Sequence, residues 1–328
     1  MGSTHLKALR SVPRAELVAV CSDEENKLSG DLSDIQGNLG GPGERFDFSH
    51  VEKYRDVDAL LADSNVEAVD ICLPTHLHTE VAIKALRAGK HVLVEKPMAL
   101  SGEAADAMLA EAGRSRRVFM VAQVLRFVPQ YRALAHELAS KKYGAVRAAV
   151  FRRRCAAPFW NKWLGDASKS GGGIFDLLIH DVDYCVSLFG VPAAVSATGY
   201  EASELGVDIV SANLFYEGGL SVLVTGGWHH RKAYPFSMEY TVTADGATFD
   251  YNSLRDTAGV FDASGETRPL AVPTQDGFEA EMQYFVDCCE SGKRPEACPP
   301  EESARAVKLM LMILEARQRN GEKIECRI

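Results

Sequence analysis

Residues 75–97 constrain the fold more than any other stretch of this chain. From Thr75 to Ala88 the apolar residues recur at helical spacing, Gly89 stops the helix, and His91-Val92-Leu93-Val94 is an apolar run that breaks at Glu95-Lys96-Pro97. Helix, glycine, strand and charged turn make half of a βαβ unit, which calls for a parallel sheet. In an open parallel sheet, ligands sit outside the carboxyl ends of the strands. Lys96 falls at such an end, where an amine can reach a substrate. A pair of solvated turn charges would fit the spacing equally well.

Composition narrows the class. At 328 residues the chain suits two domains, and 46% hydrophobic with 25% charged residues is ordinary for a globular protein. No stretch approaches a membrane span and no secretory leader opens the chain, so a cytoplasmic protein is expected. With 36 Lys and Arg against 45 Asp and Glu, the net charge of −9 and the lack of a basic block argue against nucleic acid. Cys21, Cys72, Cys155, Cys185, Cys288, Cys289, Cys298 and Cys326 contain no C-x-x-C pair, and buried reduced thiols are expected.

Before the central stretch, Leu6, Leu9 and Val12 recur at helical spacing and Glu16 to Cys21 reads as a buried strand. Gly30 to Ser49 is a glycine-rich loop, Asp56 caps a short helix through Ala62, and Ala68 to Leu73 is a strand ending at Pro74. After it, Ser101 to Gly113 is a capped helix and Arg117 to Val121 closes the parallel part. Beyond residue 122 the strands cease to alternate with helices. Segments 148–154, 193–200, 209–216, 220–228 and 238–243 alternate in polarity, with Glu217-Gly218-Gly219 as a hairpin turn. Helices at 278–289 and 304–319 end the chain with core periodicity and no assigned function; the later one can pack back on the first part.

A second constellation lies at Gly171-Gly172-Gly173-Ile174-Phe175-Asp176-Leu177-Leu178-Ile179-His180-Asp181-Val182-Asp183. Asp176, His180 and Asp183 stand at i, i+4 and i+7, on one helical face beside a glycine-rich approach. A metal would need a further ligand, for which only His229-His230 offers itself, and none is expected. The face could also be satisfied by neighbouring strands.

Glu95-Lys96-Pro97 after an apolar strand, preceded by Pro74-Thr75-His76-Leu77-His78 and followed far downstream by Asp176-x-x-x-His180, resembles the glucose-fructose oxidoreductase, inositol dehydrogenase and rhizopine catabolism (Gfo/Idh/MocA) family. The resemblance covers nearly the whole chain. It implies an α/β plus α+β fold: a Rossmann-type parallel domain over residues 1–122, then a domain over 123–328 with a large, mostly antiparallel open sheet. It implies Lys96, Asp176 and His180 as the catalytic group, and Pro74, Thr75, His78, Glu95, Lys96 and Gln123 along a nicotinamide coenzyme. In the family the open sheet face joins subunits, so a homodimer or homotetramer is expected.

The start of the chain departs from the pattern. Met1-Gly2 and His5 match the tail of the family's glycine-rich turn, with Gly2 in the place of the last glycine of G-x-G-x-x-G, but the first two glycines and the strand carrying them are absent. Either the numbered start lies about thirty residues or fewer inside the protein, which is the preferred reading, or the coenzyme cradle is defective. An expression tag would not explain His5. Ser22 stands at the family's usual acidic position with Asp23 next, and no arginine is adjacent in sequence, which favours NAD while leaving NADP open.

The chemistry is consistent. Oxidising a sugar alcohol needs a proton acceptor at the hydroxyl while hydride leaves the same carbon, and an imidazole suits that task. His180 is therefore assigned as general base or acid, Lys96 as the donor to the reacting oxygen, and Asp176 as an orienting group. Lys96 could act as base only if its pKa fell from about 10.4 to roughly 7, worth about 4 to 5 kcal/mol, whereas His180 needs almost no shift. Arg126, Trp160, Lys162, Trp163 and Lys169 flank the region, and Arg126 and Trp163 are taken as substrate contacts. The expected activity is reversible NAD(P)-dependent hydride transfer at a sugar, cyclic polyol or sugar derivative. The alternative is a non-catalytic sugar-binding or regulatory homologue that has lost the coenzyme.

Overall fold

The computed structural model describes residues 1–37, 41–158, 163–202 and 206–328. Trp160 and Lys162 lie outside the described residues. Helix α1 (Gly2–Leu9) leads into β1 (Ala19–Cys21), α2 (Glu25–Leu28), β2 (Glu52–Tyr54) and α3 (Val57–Ala62). Then β3 (Ala68–Ile71), α4 (Thr75–Arg87), β4 (His91–Glu95), α5 (Gly102–Ser115) and β5 (Phe119–Ala122) alternate as the helical and apolar periods require.

Every pairing among these strands is parallel, but the sheet is in two pieces. β1 pairs with β2, and β3, β4 and β5 pair in that order. No described strand joins β1 to β3. In a doubly wound sheet of order 3-2-1-4-5-6, that gap is the place of the first strand.

A short turn at Val124–Arg126 leads to α6 (Pro129–Ala139), with Pro129 in its first turn, and to β6 (Val146–Cys155). Next come α7 (Ala167–Ser170), α8 (Gly172–Phe189), β7 (Ala194–Ala202), β8 (Val207–Phe215), β9 (Ser221–Trp228) and β10 (Ser237–Ala244). β11 (Ala247–Asn252), β12 (Thr257–Asp262), β13 (Thr267–Pro269), α9 (Gly277–Ser291), α10 (Pro300–Gln318) and β14 (Ile324–Glu325) complete the chain. Among the described residues the second sheet has nine strands in the order β13-β12-β11-β10-β6-β9-β8-β7-β14, antiparallel except for the parallel pair β6 and β9. Glu217–Gly219 joins β8 to β9, with Gly218 at φ 77°.

One face of that sheet packs on α8 and α10, with Phe151, Val224, Ala212 and Tyr240 buried beneath them. The register puts Val150, Tyr200, Phe215 and Phe261 on the opposite face, where all four are exposed. The last two helices return to the parallel part. Ser11 donates to Glu279 on α9 and Lys308 on α10 pairs with Asp106 on α5.

Candidate active site

β4 is buried along its length, and Lys96 is the first residue beyond its carboxyl end. Its Nζ donates to Asp176 on α8, 2.8 Å from the backbone oxygen and 3.0 Å from Oδ1. His180 stands one turn further along α8, close enough to Lys96 for the lysine charge to act on its ring.

The glycine run positions α8. Gly171 and Gly172 have φ of 82° and 87°, in the left-handed region, and a Cβ on Gly173 would lie 2.6 Å from the Trp228 ring. Asp208 on β8 accepts the Ile174 N–H at 2.9 Å and is itself held by Arg317. Beneath His180, Arg153 on β6 and Asp181 form a fully buried pair.

Burial, and then the charges of Lys96 and Arg153, push the His180 imidazole well below its usual range. The expectation of almost no shift is corrected in direction: the ring is neutral at neutral pH, the form that accepts a proton. Its Nδ1 is buried without a hydrogen-bond partner among the described residues.

Three expected contacts take other roles. The Arg126 side chain is 5% exposed and all its nitrogens are engaged: Nε and Nη2 by Asp183 at 2.7 and 2.8 Å, Nη1 by Glu302 at 2.6 Å. It ties α8 to α10, with each of its nitrogens already held within the protein, while Asp183 leaves the Asp176–His180 stripe to hold it. His78 is buried, with Nδ1 2.8 Å from the Pro97 oxygen and Nε2 2.8 Å from the Leu73 oxygen, so it staples the ends of β3 and β4 from within. Glu95 is likewise turned inward, 3.0 Å from His5 Nε2 and accepting the Lys96 N–H at 3.0 Å.

Trp163 sits half-buried in the turn before α7, and Lys169 pairs with Asp166. His229 and His230 pack ring on ring, with His230 stacked on Tyr234 at 3.8 Å.

The residues expected along a coenzyme stand at the carboxyl ends of the parallel strands. Ser22 follows β1, its Oγ accepting the Glu24 N–H; Pro74 and Thr75 begin α4 after β3; Gln123 follows β5. Asp23 is exposed, and the fold brings Arg55 beside it, 3.4 Å from the Asp23 oxygen and paired with Glu25. The sequence reading missed Arg55 because only the parallel pairing of β1 with β2 makes them neighbours. A Cβ on Gly2 would meet Cys72 Cβ at 3.7 Å, an ordinary contact, so the chain itself does not demand glycine there.

Two features fit a dinucleotide. The first turn of α4 has neither a side-chain cap nor an acidic residue, unlike those of α3 and α5, which Asp56 and Ser101 cap. Uncapped N–H groups at a positive helix end suit phosphate oxygens. Gln123 is buried with both amide atoms unpartnered among the described residues, so it has a donor and an acceptor to offer.

Comparison with known proteins bears on the family and the fold. Residues 1–123 match the model of an oxidoreductase family with an NAD-binding Rossmann fold, and residues 131–250 match the Gfo/Idh/MocA C-terminal domain. The chain belongs to the Gfo/Idh/MocA family.

An inositol 2-dehydrogenase of Rhizobium meliloti is 28% identical to this Gfo/Idh/MocA chain over 308 residues, covering 89% of it and 86% of the relative. An uncharacterized oxidoreductase of the same species is 36% identical over 170 residues, 51% of this chain and 50% of that one. A D-glucoside 3-dehydrogenase of Escherichia coli is 28% identical over 193 residues, 58% and 51% of the two chains. The match thus spans about half the length of some curated relatives. Among solved structures, a levoglucosan dehydrogenase in complex with NADH and levoglucosan has the same fold at a TM-score of 0.83, with 19% identity over 99% of this chain and 96% of that one.

Proposed function

We propose that this protein transfers hydride reversibly between a nicotinamide coenzyme and a hydroxyl-bearing carbon of a sugar, cyclic polyol or sugar derivative. The observation that carries the reading is the bridge from Lys96 Nζ to Asp176 with His180 one turn away. The bound nicotinamide supplies the hydride acceptor or donor. His180 takes the hydroxyl proton in oxidation and returns it in reduction. The Lys96 ammonium donates to the reacting oxygen, stabilising alkoxide charge as it develops, and Asp176 fixes the ammonium. Thr75, Gln123 and the start of α4 face the coenzyme, with Ser22, Asp23 and Arg55 at its adenosine end. Residues 1–122 thus serve the nucleotide and the remainder the substrate.

The test mixes the purified chain with NAD or NADP and a panel of myo-inositol, glucosides and anhydrosugars, following nicotinamide absorbance across pH. At least one member should reduce the coenzyme. The base must be deprotonated, so the rate rises with pH through the His180 pKa and is flat above it, and the lowered pKa puts that rise below about pH 6.5. A rise centred above pH 7 contradicts His180 as the base. No reduction, together with no coenzyme binding by fluorescence, leaves the non-catalytic reading.

We infer further that the uncovered sheet face joins copies of the chain, on the strength of exposed Val150, Tyr200, Phe215 and Phe261. Light scattering should report a dimer or tetramer; a monomer at micromolar concentration contradicts this.

A further inference from the structure

His5 lies outside the chemistry above, yet it is among the most constrained side chains in the molecule. It projects from α1 between two strand ends and is 3% exposed; Nδ1 is hydrogen-bonded to Asp70 Oδ2 at 2.8 Å, and Nε2 makes an ion-pair contact with Glu95 Oε1 at 3.0 Å without a hydrogen bond among the described residues. Asp70 belongs to β3 and Glu95 to β4, so one imidazole links three elements.

The charges around it favour the imidazolium. Burial opposes the charge, but Asp70 and Cys72 together more than offset it, and the ring is pushed well above its usual range. Glu95 is held below the usual carboxylate range: burial works against its charge, and His5 and Lys96 outweigh burial. The other group coupled to the site is Glu281 on α9, 2% exposed, whose Oε1 has no partner among the described residues. Burial pushes its carboxyl well up, which disfavours a third negative charge there. Cys72 Sγ lies 3.5 Å from His5 Nδ1, and burial raises its thiol to about 11. With Cys72 the donors resemble a metal set, but two ligands about 2.1 Å from a tetrahedral metal stand about 3.4 Å apart. The 2.8 Å between His5 and Asp70 is a hydrogen bond.

From His5 the chain of contacts runs to Lys96. One Glu95 oxygen faces the imidazole, and the other accepts the backbone N–H of Lys96. The Lys96 ammonium, in turn, is held by Asp176. A buried Glu95 carboxylate that loses His5 still has the Lys96 cation acting on it, in competition with Asp176.

We propose that His5 is a positioning residue: by bridging Asp70 and Glu95 it satisfies the Glu95 carboxylate, so that Glu95 anchors the Lys96 backbone and leaves the Lys96 ammonium to Asp176 and the substrate. This rests on the role given to Lys96 under the proposed function. A crystal structure separates the two, because it needs no turnover.

In His5→Ala, Lys96 Nζ should leave Asp176 Oδ1 and turn toward Glu95. In the double variant His5→Ala/Glu95→Gln, which removes the stranded charge, it should return to Asp176. An unchanged Lys96–Asp176 contact in His5→Ala overturns the proposal whether or not any sugar is turned over. With an active substrate, kcat should fall about 10- to 100-fold in His5→Ala with KM little changed, as a small misplacement of a reacting group produces. The double variant should recover to within about threefold of the unmodified protein. A loss that Glu95→Gln does not relieve overturns the proposal, because a merely structural role for His5 would leave the double variant at least as impaired. If His5→Ala does not fold, His5→Gln, which keeps a donor and drops the charge, carries the same comparison.

Discussion

Replacing Lys96 by alanine should lower kcat by about 10²- to 10³-fold, the cost of removing one preorganised donor to a developing oxyanion, or about 3 to 4 kcal/mol of transition-state stabilisation. The chain should stay folded, because the ion pair it loses is partly exposed, with side chains 13% and 19% accessible, and such pairs contribute little. The loss should fall on kcat more than on KM, since the charge that Lys96 meets appears only as the hydroxyl proton departs. Kinetics beside a thermal melt check this. A Lys96→Ala protein that turns over at the original rate removes the lysine from the mechanism, and one that unfolds makes it structural.

The second large effect concerns stability. Arg153 and Asp181 pair at 2.6 and 3.2 Å with side chains 2% and 0% exposed, the guanidinium also lying against Met238 and Phe236. Removing one member leaves the other charged and buried, so Arg153→Ala should cost about 3 to 5 kcal/mol. That is a large part of the roughly 5 to 15 kcal/mol that holds a domain folded. Replacing both by apolar residues of similar volume, Arg153→Met with Asp181→Leu, should recover most of it. Urea denaturation of the three variants decides. A single variant within about 1 kcal/mol of the unmodified protein would mean that the pair is solvated. The double variant bears on function as well, because Arg153 helps to keep His180 neutral; without that charge the acid limb of activity should move to higher pH.

What the sequence disclosed followed local rules. The helix 75–87 and the strand 91–95 came from periodicity and a stop glycine, and α8 came from a glycine run whose need is now visible: two left-handed φ angles and the close approach of Trp228. Asp176 and His180 share a face because a helix turns every 3.6 residues. What stayed hidden was set by partners distant in the chain. Arg126 looked like a free donor because Glu302 lies on the last long helix. His5 could not be placed before β3 and β4 brought Asp70 and Glu95 to it. Glu281 read as one more position in a periodic helix, and Arg55 drew no reading at all. Strands β11 to β14 were not anticipated; β13 and β14 have three and two residues, too few for an alternating pattern to register.

The account depends on Lys96 and His180 serving the same carbon, and a crystal structure with NAD and the polyol or sugar that best reduces it measures this directly. One substrate oxygen should lie about 3 Å from both Lys96 Nζ and His180 Nε2. A substrate held by only one of them, with the other facing a separate cavity, would contradict it.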